Sequence, residues 1–240
     1  MDFLKNDETK KTLIRTGILF LVFIIYTLLV TKVNVAELPV TLTDGTLADP
    51  SSAEVGFSKL NNAIHLAINY NGTWYLISKC LGILAFAVVA FFAFLGCAQL
   101  FTSKSIAKVD KDLFVLAGFY VLVLATYILF EKVTLNYRPF ILDVEEGLEG
   151  SYPSSHAMLG MCVFITAAMQ FKNRLKNKNV NLTVRIICMA LAILTVVSRL
   201  LSGVHWFTDI IGGVLVSAFL ISLYKTVFLI VINMNKESFD

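Results

Sequence analysis

The sequence predicts an all-α integral membrane protein, a bundle of six membrane-crossing helices in one domain over residues 1–240. Three observations carry this. Hydrophobic residues make up 57% of the chain and charged residues only 15%, where a soluble domain is near half apolar and a quarter charged. The apolar excess sits in long runs instead of being spread evenly. The basic residues collect in alternate connecting segments, as they do in multi-pass membrane proteins.

A helix needs about 20 apolar residues to cross the hydrocarbon core. Six stretches meet or approach that length: 13–33, 76–101, 113–131, 156–171, 183–201 and 205–231. The first is too long for the apolar core of a cleaved leader and lacks a small-residue cleavage site, so it reads as a span. The fourth is short and is expected to run on by a turn at its cytoplasmic end. The sixth is long enough to tilt or to continue along the surface. Cys80, Cys97, Cys162 and Cys188 all fall inside these runs. They read as small apolar residues, without disulfide or metal spacing.

Basic residues set the orientation. Lys5, Lys10, Lys11 and Arg15 precede or open the first span. Lys104, Lys108 and Lys111 lie in the 102–112 loop. Lys172, Arg174, Lys176, Lys178 and Arg185 lie between spans four and five. With Lys225 and Lys236 these are 14 of the 20 Lys and Arg. The other side holds Lys32, Lys59, Lys79, Lys132, Arg138 and Arg199. Both termini are therefore expected in the cytoplasm. The outer loops are 34–75 and 132–155. Within the first, Leu60, Ala63, Ile64, Ala67 and Ile68 share one helical face, as in a short helix lying in the interface. Trp74 and Tyr75 then mark the aromatic belt. The second carries Asp143, Glu145, Glu146 and Glu149, read as a solvated face.

Ionisable groups in or beside spans are costly, so they point to function. Four clusters qualify: EKVTLNYRP (131–139), SYPSSH (151–156), Arg199 at the end of span five, and GVHWFTD with His205 and Asp209. Following the chain from span to span puts all four on one side. Arg138 and Arg199 are planar, permanently charged forks suited to phosphate. Ser154 and Ser155 stand where the first N–H groups of span four point outward, a ready anion site. His205 and Asp209, four apart, share a helical face, and a carboxylate there can fix an imidazole tautomer. His156 is free for a different role. Each feature alone has an ordinary explanation: an interface-anchoring arginine, a serine N-cap, an acidic residue at a helix start. Their convergence on one side favours a phosphoryl-transfer site. His65 has no partner evident in the sequence and stays outside this set.

The clusters resemble the signature of the type 2 phosphatidic acid phosphatase family, integral-membrane lipid phosphate phosphatases related to vanadium haloperoxidases. That signature runs Lys, six residues, Arg-Pro; then Pro-Ser-Gly-His; then Ser-Arg, five residues, His, three residues, Asp. This chain has Arg138-Pro139, then Pro153-Ser154-Ser155-His156, then Ser198-Arg199, His205 and Asp209 at that spacing. Ser155 replaces the glycine. Glu131 stands where the family has lysine, with Lys132 one residue on.

The resemblance implies an extracytoplasmic active site with His205 as nucleophile, forming a phosphohistidine. Asp209 would hold His205. His156 would protonate the departing oxygen. Arg138, Arg199, Ser154, the backbone at Ser155 and Lys132 would bind the phosphoryl group. No metal, cofactor or nucleic acid is expected. The expected partners are the bilayer and a phospholipid or prenyl phosphate substrate in the plasma membrane. Undecaprenyl diphosphate, phosphatidylglycerophosphate and phosphatidic acid are candidates, the first preferred because an outward site suits recycling of a carrier lipid. Two other readings are transfer of the phosphoryl group to an acceptor other than water, and a non-catalytic lipid-binding or transport protein. A pure binder would need the arginines but not the His205–Asp209 pair.

Overall fold

The computed structural model describes residues 7–145 and 147–237. Lys5 and Glu146 of the charge pattern lie outside them. The described chain runs α1 (Asp7–Val30), β1 (Ala36–Leu42), β2 (Leu47–Val55), α2 (Ser58–Ile68), α3 (Gly72–Ser103), a 3-10 turn (Ile106–Lys108), α4 (Lys111–Lys132), β3 (Phe140–Ile141), α5 (Ser155–Arg174), α6 (Lys178–Leu201) and α7 (Phe207–Glu237). Each predicted stretch is a helix, with ends displaced by a few residues.

Five helices, α1, α3, α4, α6 and α7, are long and apolar enough to cross a bilayer. The predicted fourth span is the one that differs. α5 has 20 residues and carries Ser155, His156, Thr166, Gln170, Lys172, Asn173 and Arg174. Its position explains the composition. α5 packs against α3, α4, α6 and α7, and Thr166 and Gln170 are buried. Its polar groups therefore meet protein where a peripheral helix would meet lipid.

Lipid tails are as apolar as leucine, so close packing and polar contacts hold such helices together. Both are present. Phe23, Phe92, Leu116, Phe119, Met158 and Leu220 belong to one buried cluster shared by α1, α3, α4, α5 and α7. Between α1 and α7, Thr16 Oγ1 lies 2.8 Å from Ser222 Oγ and 3.1 Å from Thr226 Oγ1. Between α4 and α5, Arg174 grips Asp112 through both carboxylate oxygens, at 2.6 and 3.0 Å. Gln170 Nε2 donates to Tyr224 Oη at 2.6 Å, joining α5 to α7.

The loops at the α5 N-terminal end are more ordered than an all-α reading anticipates. β1 and β2 form an antiparallel hairpin. Asp44 Oδ1 closes its turn by accepting from Thr46 N and Oγ1, which holds the exposed carboxyl below its ordinary pKa, and Gly45 takes φ 89°. β3 joins β1 in parallel to give the order β2-β1-β3. This seats the segment carrying Arg138 against the hairpin, with Thr41 N donating to Pro139 O at 3.1 Å. α2 forms as expected, and Leu60, Ala63, Leu66 and Ala67 are exposed on it. Its buried Asn61 donates to Gly56 O and Thr208 Oγ1 and accepts from Thr208 N, so α2 is pinned to the start of α7.

Gly160 marks the tightest point between α5 and α6, since a Cβ there would stand 2.4 Å from Thr195 Cγ2. Gly160→Val is expected to destabilise the protein by about 1–3 kcal/mol through overpacking, read as a lower Tm in detergent. Adding Thr195→Ala should restore much of the loss. A Gly160→Val protein as stable as the original would mean that these helices do not meet there.

Candidate active site

Three helix ends and one loop build the site. α6 ends at Leu201, and Gly203, at φ 73°, turns the chain back toward α7. A Cβ on Gly203 would fall 2.1 Å from Asn69 O, so the α2–α3 link rests directly on this turn. The tight turn leaves His205 one residue ahead of the α7 N-cap, Trp206. Asp209 reaches back from the first turn, its Oδ2 accepting from Trp206 N at 3.0 Å. This is the return half of a capping box. Its Oδ1 accepts from Asn136 Nδ2 at 3.1 Å, and the Asp209 carbonyl accepts from Ser154 N at 3.0 Å. The start of α5 is thus tied to the start of α7. Gly213 permits this approach, because a Cβ there would lie 2.8 Å from Ser154 O.

His205 Nδ1 lies 3.8 Å from Asp209 Oδ2, adjacent but beyond hydrogen-bond length. The carboxylate is already engaged by Asn136 and Trp206. Ser151 lies beside both side chains. Arg199, Arg138 and His156 are all near enough for their charges to act on the His205 ring. His156 faces α3 at Gly82, where a Cβ would stand 3.5 Å from its Cδ2.

The polar groups here are buried beyond what simple anchoring requires. Arg199 is 1% exposed, His205 4%, and Ser154 and Asp209 are fully buried. Arg199 Nε and Nη1, Arg138 Nε, Ser154 Oγ and His205 Nε2 have no hydrogen-bond partner among the described residues. Buried polar groups are almost always paired, and an unpaired charge costs several kcal/mol. An interface-anchoring arginine would extend to the surface, and Arg199 does not. An N-cap serine would bond its own helix; Ser154 occupies the N-cap of α5 without a side-chain cap bond. These atoms form a set of donors suited to one multivalent anion.

The adjoining cavity is about 20 Å³ and is lined by Glu131, Arg138, Ser151, Pro153, Ser155 and His205, among others. That is room for little more than one water-sized group. Arg138 Nη1 bonds Glu149 Oε2 at 2.5 Å, so a carboxylate holds one side of the guanidinium. Of the predicted residues, His205, His156, Asp209, Arg138, Arg199, Ser154 and Ser155 are brought together. Lys132 is exposed at the end of α4 and does not line the cavity, whereas Glu131, from the same turn, does.

Several neighbours have no signal in the motifs. Asn136 holds Asp209 from a loop, and Ser151 lies beside it. Tyr75 lies under Arg199, whose guanidinium carbon is 5.7 Å from the ring centroid, and Lys79 Nζ is 5.1 Å from the same ring. His65, left without a partner by the sequence, packs on Phe140 and Trp206 at 5.0 and 5.1 Å. That burial lowers its pKa.

Fold and site together define a multi-pass helical membrane protein with a buried, cation-rich pocket at one end. Residues 113–230 match the family model described as the PAP2 superfamily. A solved structure described as a transmembrane PAP2-type phosphatidylglycerolphosphate phosphatase from Bacillus subtilis shares the fold. Its TM-score is 0.57 and its identity 22%, over 88% of this chain and 94% of that one. No curated protein matches the chain significantly by sequence.

Replacing even a buried ion pair by apolar side chains of similar volume is often neutral or stabilising, by about 1–4 kcal/mol, and a buried charge with no partner has less to lose. Arg199→Met is therefore expected to raise the Tm while weakening competition by inorganic phosphate at least roughly tenfold. A lower Tm with phosphate affinity intact would show that Arg199 serves the fold.

Proposed function

We propose that this protein is a membrane phosphatase that removes a phosphate from a lipid head group through a phosphohistidine. The observation that carries this is the set of buried, unpartnered donors from Arg199, Arg138 and Ser154 at the helix ends beside the His205–Asp209 pair. The match of residues 113–230 to the PAP2 superfamily model supports it. His205 Nε2 attacks phosphorus while Nδ1 remains on the Asp209 side. The P–O bond to the lipid breaks, and the departing oxygen takes a proton from His156. Water then attacks the phosphohistidine, giving its proton to His156, and inorganic phosphate leaves. Arg199, Arg138, Ser154 and the Ser155 backbone stabilise the equatorial oxygens throughout. No step uses a metal.

The proposed setting is the plasma membrane, with both termini cytoplasmic and the site on the outer face. The basic residues favour this orientation. Head groups would enter from the outer leaflet while the tail stays in lipid. Phosphatidylglycerophosphate, phosphatidic acid and undecaprenyl diphosphate all fit this chemistry. The relative from Bacillus subtilis is described as acting on the first, and the outward site favours the last.

The deciding experiment is phosphate release by purified protein with EDTA present, across these three lipids. Wild-type release should survive EDTA. His205→Ala should lower kcat by on the order of 10³-fold or more while lipid binding remains. His156→Ala should cost about 10²–10⁴-fold with lipid substrates, and least with a p-nitrophenyl ester, whose leaving group needs no acid. Turnover like wild type in His205→Ala would falsify this mechanism.

The Arg138–Glu149 pair must loosen for a phosphoryl group to enter so small a cavity. Glu149→Gln removes the competing charge. It is expected to tighten inhibition by inorganic phosphate about threefold to tenfold. Weaker inhibition would instead show that Glu149 positions Arg138 for the anion.

A further inference from the structure

At the opposite end of the bundle lies a second and much larger crevice, of about 750 Å³. Its walls are the C-terminal half of α5, the N-terminal half of α6 and the C-terminal half of α7, with the start of α1 at the rim. Because α5 and α7 begin at the active site and α6 ends there, the basic rim of this crevice at Lys172, Arg185 and Lys225 lies roughly 20 Å or more along the helices from the catalytic groups.

Two apolar stripes face each other across it. On α5 they are Ile165, Ala168 and Met169; on α6, Leu182, Ile186 and Met189. Both follow the three-and-four spacing of a single helical face. The alanines leave the walls shallow, and the volume falls within the range of ligand pockets, about 300–1,000 Å³.

The rim is cationic. Lys172 comes from α5, Arg185 from α6 and Lys225 from α7. Among the described residues, Glu8 of α1 is the one carboxylate lining it, and it pairs with Lys225 at 2.9 Å. Three cations against one carboxylate leave a surplus of two positive charges over an apolar slot. A zwitterionic head group would leave that surplus unmatched. A head group with a net negative charge would match it, with its phosphate among Lys172, Arg185 and Lys225.

We propose that this crevice is a binding site for one anionic phospholipid, its acyl chain between α5, α6 and α7 and its head group on the basic rim. The site is separate from the catalytic pocket and does not rest on the phosphatase reading. The lipid closes the face where α6 and α7 touch each other little and so couples bundle stability to the charge of the surrounding leaflet.

The test uses full-length protein in nanodiscs of phosphatidylcholine alone or with phosphatidylserine, which carries no phosphomonoester. Native mass spectrometry of the detergent-solubilised protein counts the lipids retained. Wild type is expected to gain Tm with phosphatidylserine and to retain one copy. Lys172→Gln with Arg185→Gln should weaken that retention roughly tenfold. The matched pair Lys104→Gln with Lys108→Gln, elsewhere at the same end, should not. Ala190→Trp, which fills the slot without changing charge, should also expel the lipid. Equal loss in both charge pairs would reduce the effect to diffuse surface attraction and overturn the proposal. So would retention of phosphatidylcholine and phosphatidylserine alike, or a protein dimer holding no lipid.

Discussion

A guanidinium buried without a carboxylate is the constraint around which this end of the molecule is arranged. Arg199 is almost wholly enclosed, and two of its nitrogens have no protein partner. Such a group is tolerated only where its surroundings lower its cost and something else repays it. Three features lower the cost. Arg199 stands in the last turn of α6, where the helix dipole favours a cation. The Tyr75 ring lies beneath it. Arg138 shares the region with Glu149, which limits the net positive charge. What remains unmatched is a demand for negative charge with several acceptor oxygens, and a phosphoryl group supplies it.

Rigidity there comes from the cap over the helix ends. Asn61 fixes α2 to Thr208, β3 fixes the Arg138 loop to the hairpin, and Trp206 Nε1 donates to Tyr137 O at 2.7 Å. His65, Phe140 and Trp206 then stack into one aromatic group. The Tyr137 bond and the aromatic group join distant segments to Trp206, the residue after His205, and Asn61 joins α2 to Thr208 two residues further on. The cap holds the donors before any ligand arrives, which is what electrostatic stabilisation of a transition state requires. The superfamily match covers 113–230 and leaves α1 to α3 outside it. Yet Asn61, His65, Tyr75 and Gly82 reach the site from those segments.

The spans were legible because lipid imposes a strong, continuous apolar signal. The His205–Asp209 pair was legible from its spacing, but not for the expected reason: His205 stands ahead of the α7 N-cap, so the tight turn and the reach-back of Asp209, and not a shared helical face, bring the two together. Other features carried weaker signals. The hairpin was announced only by Asp44-Gly45, a turn dipeptide with β-forming residues on either side, and the apolar runs nearby overshadowed it. Lys132 looked like the closer match for a phosphate ligand, but α4 continues through it. One residue along a helix is a turn of about 100°, enough to put Glu131 on the cavity and Lys132 outside. Asn136 and Ser151 could not be singled out, since loop residues acquire their partners only through tertiary contact. The polar content of α5 looked like a shortened span and is instead the mark of a helix enclosed by its neighbours.

The 3.8 Å gap between His205 and Asp209 bears on how the pair would work. Asp209 already accepts from the backbone of Trp206 and from Asn136, so its charge is partly neutralised while the imidazole is uncharged. Attack on phosphorus would place positive charge on the imidazole. The gain from approaching Asp209 would then rise, because two opposite charges in a water-poor site attract far more strongly than an ion and a neutral ring. A small shift of His205 toward Oδ2 would convert proximity into a charge-assisted bond as charge develops. On the proposed mechanism the carboxylate thus acts more strongly on the phosphorylated state than on the resting one. An interaction that strengthens along the reaction coordinate accelerates the chemistry, whereas one of constant strength would only hold the ring in place.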